Sequence, residues 1–219
     1  MADSTLPDAY VQKFLNNFAI AKINAEVDTI TAARYGVRSY PTTLILKPNG
    51  IEIDRLIGYY PPEDFVTGII NALTGIGTLE DYLDKLAADP RNGELQFEVG
   101  QKYRYRGNYD QAAVFFAQVM ANDSARASGK AAEAAFNLGH MRYKLKDYPG
   151  AVALWRQQIA QFPEAELNVD AELMIAYSYQ KAGDFKNAKK EYNYFLKKYP
   201  DTEEKDWIAE QMAAMAKKK

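Results

Sequence analysis

The chain has 219 residues, of which 47% are hydrophobic and 26% charged, a balance that excludes a disordered polymer and allows one large or two small domains. Its formal charge of −2 removes the usual electrostatic case for nucleic acid, because phosphate binding needs a basic surface. It contains no cysteine, which excludes disulfides, thiolate zinc sites and thiol chemistry on this chain.

The opening "MADSTLPDAY" has no basic stretch and no apolar core, so no signal peptide is visible. No run approaches the ~18 apolar residues of a membrane span. The compartment stays open: cytoplasmic by the absence of a signal peptide, or periplasmic for an envelope protein trimmed at its N-terminus. "FAIAKINA" (Phe18 to Ala25) alternates as a strand would. "DTITAARYGV" reads as a helix, with Asp28 as its N-cap and Gly36 ending it in the left-handed region. Leu44, Ile45 and Leu46 are apolar in succession, which predicts a strand covered on both faces. Pro48-Asn49-Gly50 makes a hairpin turn, and "IEIDRLIG" returns as its partner strand. Pro61-Pro62 opens a helix whose Phe65, Ile69 and Leu73 share one face.

That order, with "GVRSYPTTLILKPNG" and "RLIGYYPPEDF", resembles the C-terminal half of a thioredoxin-like domain over Val11 to Thr74. The resemblance implies that Pro41, preceded by Tyr40, is the family's cis-proline. It also implies that the first strands and the Cys-x-x-Cys helix start would precede Met1, with "MADSTLPDAYVQKFLNN" as the tail of that helix. Family relatives are thiol–disulfide oxidoreductases, but no residue here can inherit that role. A sheet missing its central strand leaves roughly five residues of ladder groups unpaired, each costing about 1–3 kcal/mol when buried, against a total stability of about 5–15 kcal/mol. The expectation is therefore that the strands close up, that another chain fills the gap (a homodimer being one form), or that the protein extends upstream.

Past the Gly75–Gly77 joint the pattern becomes helical and repeats. Each repeat has an apolar–small pair (Val99-Gly100, Leu138-Gly139, Ile175-Ala176) and an aromatic in its turn (Tyr109, Tyr148, Phe185). Each then has a small residue (Ala112, Ala151, Ala188) and an aromatic four residues on (Phe116, Trp155, Tyr192). Small residues let two helices approach, and the aromatics fill the space beside the contact. The array is similar to tetratricopeptide repeats, slightly wider than their usual ~34 residues because of the joints at "NDSARASGK" and "EAELNV". Such lengthened turns are like those of bacterial envelope assembly proteins. "TLEDYLDKLAADP" adds a half repeat, and "TEEKDWIAEQMAAMA" reads as a capping helix.

The expected fold class is α+β: a truncated thioredoxin-like half-domain (1–75), a linker and half-repeat helix (76–93), and a tetratricopeptide solenoid with its cap (94–219). The resemblance implies that the first helix of each pair lines a concave groove. Helical projection places Phe97, Gln101, Arg104 and Tyr105 there from the first repeat, Phe136, His140, Tyr143 and Lys144 from the second, and Leu173, Tyr177, Gln180 and Lys181 from the third. Aromatics with basic or amide ends suit a peptide or protein partner bearing a carboxylate. No catalytic group, metal cluster, phosphate loop or cofactor is expected. His140 is the only histidine, and Glu63-Asp64, Glu80-Asp81 and Glu203-Glu204 sit where helix starts explain them. The Lys217-Lys218-Lys219 tail reads as a solvated end. The function expected is a non-enzymatic interaction scaffold; the alternative is a fragment of a thiol–disulfide oxidoreductase with its cysteines upstream.

Overall fold

The structure, a computed structural model, describes residues 4–122 and 129–217. The start of "MADSTLPDAY", most of the "NDSARASGK" joint and the last two lysines lie outside the described residues. Eleven helices and one two-stranded sheet form among the described residues. The chain divides into two compact units.

The first unit runs to Arg91 and takes in Gln101–Asn108, so the Gly75–Gly77 joint lies inside it. Helix α1 (Ala9–Leu15) begins where the Asp8 carboxylate accepts from the N–H groups of Tyr10 and Val11. Helix α2 (Thr29–Arg34) is capped by Asp28 as expected, and Gly36 follows at φ 59°. Strands β1 (Thr42–Leu46) and β2 (Glu52–Ile57) pair antiparallel, with Thr42 opposite Ile57 and a bulge that leaves Ile53 unopposed. Gly50 takes φ 80° in the connecting turn, and Asn49 Oδ1 accepts from the Ile51 N–H at 3.1 Å. The Tyr40–Pro41 peptide bond is cis. Helix α3 (Pro62–Leu73) starts on Pro62 and lays Phe65 and Ile69 against α1 and the hairpin, closing a core with Val11, Ile45, Val66 and Ala72. Helix α4 (Leu79–Ala88) begins where Thr78 caps Asp81.

Three expectations change here. Phe18–Ala25 is not a strand: the backbone is irregular, and among the described residues Ala19–Ile23 make no backbone hydrogen bond. Alternation alone cannot make a strand, which exists only when a neighbour supplies the ladder. The three-stranded half-sheet implied by the thioredoxin-like resemblance is therefore a hairpin only. β1 is covered on one face, since Ile45 is buried while Leu46 is 38% exposed, and Ile30 and Leu73 are also turned outward.

A buried ionic cluster ties the hairpin to the Gln101–Asn108 stretch of the same unit. Arg55 donates to Glu52, to the Tyr35 carbonyl at 2.7 Å and to the Tyr105 carbonyl at 2.6 Å. Lys102 and Arg106 meet Asp54 at 2.6 and 3.1 Å, and Arg106 also reaches Glu52. The cluster satisfies every charge it buries, which a buried carboxylate requires. Gly36 lies under it: a Cβ there would stand 2.2 Å from the Arg106 carbonyl oxygen.

The second unit comprises Asn92–Gly100 and the chain from Tyr109 on. Its helices are most of α5 (Gly93–Tyr105), α6 (Tyr109–Ala121), α7 (Lys130–Lys144), α8 (Tyr148–Gln161), α9 (Asn168–Lys181), α10 (Phe185–Lys198) and α11 (Lys205–Ala216). Helices α6 to α11 pack each on the next. The turn aromatics Tyr109, Tyr148 and Phe185 prove to be the first residues of α6, α8 and α10. Ala112, Ala151 and Ala188 are fully buried, as are Phe116, Trp155 and Tyr192. A Cβ on Gly139 would stand 2.5 Å from Trp155 Nε1, and one on Gly100 would stand 2.9 Å from Phe116 Cε1. The small residues are thus the floor on which the aromatic rings lie.

Candidate interaction face

Helical spacing aligns Phe136, His140 and Tyr143 along α7, and Leu173, Tyr177 and Lys181 along α9. The structure joins these into a row. His140 stands edge-on to Phe136 at 6.4 Å and to Tyr143 at 6.3 Å between ring centroids. Tyr143 stacks on Tyr177 at 6.0 Å with 27° between the planes, and Tyr177 meets Trp207 of α11 at 5.5 Å. Lys181 Nζ lies 4.7 Å from the Tyr177 ring centre. Lys144 and Lys181 are exposed, whereas the rings of the row are half-buried.

The row is backed by a buried layer. Trp155 packs against Phe136 and Tyr143, and its indole N–H donates to the Phe136 carbonyl at 3.1 Å. The Tyr192 hydroxyl donates to Gln180 Oε1 at 2.8 Å, and Gln180 in turn donates to Gln211 at 3.0 Å. Burial, then the neighbouring Tyr177 and Tyr148, holds the Tyr143 hydroxyl well above the usual phenol range. Burial, then Tyr177 and Tyr143, does the same for Tyr192. Both hydroxyls are therefore neutral across physiological pH and remain hydrogen-bond donors.

Not every residue expected on the face lies there. Phe97 is 2% exposed, packed on Phe116 with Lys130 Nζ 4.7 Å from its ring centre. It is a core residue, because α5 presents Phe97 to its neighbours rather than to solvent. Gln180 is committed to Tyr192 and Gln211, and Leu173 packs on the Ala176–Tyr192 core. Gln101, Arg104 and Tyr105 belong to the first unit. There Arg104 donates to Gln101 at 2.6 Å and covers the Tyr105 ring at 4.3 Å. Trp207 and Gln211 were legible only as cap residues, although their i,i+4 spacing on α11 marks a shared face.

Among the described residues no group of acidic, histidine or cysteine side chains could hold a metal ion, and no helix is long and apolar enough to cross a membrane.

Residues 128–218 match the family model of YfiO, described as an outer membrane lipoprotein. A thioredoxin from Porphyra purpurea is 36% identical over 58 residues, which is 26% of this chain and 53% of that protein. The chain thus spans about half the length of that thioredoxin. The crystal structure of MamA covers 74% of this chain and 96% of its own, at 17% identity and a TM-score of 0.49. The helix pairs, their small–aromatic contacts and the family match over 128–218 make the second unit a tetratricopeptide-like helical array.

Proposed function

We propose that the helical unit is a protein-interaction scaffold that receives a peptide or protein partner along the row from Phe136 to Trp207. The observation that carries this is the row itself: half-buried rings on successive repeats, with the exposed cation Lys181 over Tyr177 and the exposed Lys144 one helical turn along α7 from His140. Rigid aromatic rings offer contact area at little entropic cost, and a lysine at the rim orients an acidic group on the partner. No reacting group is needed, so the reading is non-enzymatic. The test is a peptide array probed with the wild-type chain and with Lys144→Glu/Lys181→Glu. Peptides bearing a carboxylate should bind the wild type, alter the fluorescence of Trp207, and lose at least an order of magnitude in affinity on charge reversal. Equal binding by the reversed variant, or an unresponsive Trp207, removes this face from the proposal.

The match to a thioredoxin favours a second reading, in which the chain is part of a thioredoxin-like thiol–disulfide oxidoreductase. This chain has no cysteine, so the reactive pair would have to be carried elsewhere in the natural protein. A natural coding sequence without a Cys-x-x-Cys would remove that reading.

A further inference from the structure

The chain has one histidine and no cysteine. Histidine is the side chain whose ordinary pKa, near 6.5, puts its change of charge between pH 5 and 8. The structure sets that one group inside the aromatic row. His140 is half-buried on α7, edge-on to Phe136 at 6.4 Å and to Tyr143 at 6.3 Å. The exposed Lys144 follows one helical turn on, so the two side chains are neighbours on one face.

The surrounding helices bring little further charge. On α7 itself, Lys130 pairs with Glu133, and Arg142 reaches Asp147, the cap of α8, at 3.9 Å. Helix α6, packed on α7, has Asp110 as its only charged residue, in its first turn. Helix α8 has only Arg156, paired with Glu191 of α10 at 2.8 Å. On α9, Asp170 lies in the first turn, Glu172 is held by Lys198 of α10, and Lys181 covers the Tyr177 ring. Tyrosines complete the titratable groups of these helices: Tyr109 on α6, Tyr143 on α7, Tyr148 on α8, and Tyr177 and Tyr179 on α9.

We propose that His140 and Lys144 together receive the partner's carboxylate, and that protonation of His140 tightens the grip, so that binding strengthens as pH falls through about 6.5. This rests on the row being a partner-binding face. Neutral His140 is one more ring of the row, and Lys144 alone meets the carboxylate. Protonated His140 is a second cation one turn away, and the flanking Phe136 and Tyr143 rings limit the water that would screen it. Linkage requires the reciprocal effect: a carboxylate that prefers protonated His140 raises its affinity for the proton by the same factor.

The probe is the tightest carboxylate-bearing peptide of the array, capped at both ends, with a copy in which each Asp becomes Asn and each Glu becomes Gln. Affinity for the full chain is measured from about pH 7.5 to 5.5, a window in which the peptide's carboxylates stay ionised. The carboxylate peptide should bind about threefold to tenfold tighter at the acid end, and the amide copy should not change. Calorimetry in buffers of different ionisation enthalpy should show proton uptake on binding. The Cε1–H resonance of His140, the single histidine signal of the chain, should titrate at higher pH with the peptide bound. His140→Gln should hold the wild-type affinity of pH 7.5 across the whole window. Should that variant unfold, proton uptake and the His140 resonance of the wild type decide the matter. A flat affinity with no proton uptake, weaker binding at low pH, or the same slope in the amide copy or in His140→Gln would overturn the proposal while leaving the interaction face in place. An array in which no carboxylate peptide binds removes the face itself, and this inference with it.

Discussion

Gly139→Ala tests the packing logic of the repeats at a single atom. The added methyl would stand 2.5 Å from Trp155 Nε1 and 2.7 Å from both Cδ1 and Cε2. Trp155 is fully buried and its N–H is held by the Phe136 carbonyl, so the indole cannot swing aside. Overpacking of this kind costs about 1–3 kcal/mol. Displacing the indole from its acceptor adds about 1–3 kcal/mol for a buried donor left unmet. Alanine returns about 1 kcal/mol through helix propensity. The net loss is about 1–5 kcal/mol, or roughly 0.5–2.5 M in urea midpoint at a slope near 2 kcal/mol/M. Both tryptophans, Trp155 and Trp207, lie in the helical unit, so their fluorescence reports its unfolding directly. Gly100→Ala, which meets the edge of Phe116 at 2.9 Å, should cost less, because a ring edge can tilt away. A Gly139→Ala midpoint at or above wild type would refute the claim that these glycines set the helix spacing.

Ala151→Leu forces a larger side chain into a position with no exposed surface, and should destabilise the same unit by about 1–3 kcal/mol on the same denaturation assay. Arg55→Ala leaves Glu52 and two carbonyls without their shared donor. It should cost about 3–5 kcal/mol, read as early loss of exchange protection in the hairpin while tryptophan fluorescence holds. The raised Tyr143 and Tyr192 hydroxyls predict alkaline sensitivity. The unfolded chain loses those protons near pH 10 while the folded chain keeps them, so stability should fall as pH rises above ~10. Tyr143→Phe should reduce that slope, and an unchanged slope would contradict the buried-phenol assignment.

The repeats were legible because their signal is local. Gly139 and Trp155 are close in sequence, and the helix period fixes which way each points. The expected face was less legible. Phe97 has the same helical spacing as Phe136, yet it is buried, since projection places a residue on a stripe without saying what lies against it. The Arg55–Glu52–Asp54 cluster was invisible because Lys102 and Arg106 come from some fifty residues away. The segment at Phe18 misled for the opposite reason, its alternation being clear while its partner was missing.

By itself the sequence determined two things about this protein: a helical array built on small–aromatic contacts, and the exclusion of thiol chemistry from this chain. Both follow from residue identity and short-range spacing. Only the tertiary structure decided which aromatics join into a row, which charges are buried together, and that the sheet is a hairpin only. Those outcomes depend on which surfaces meet across long sequence separations, and neither helical nor strand period encodes that.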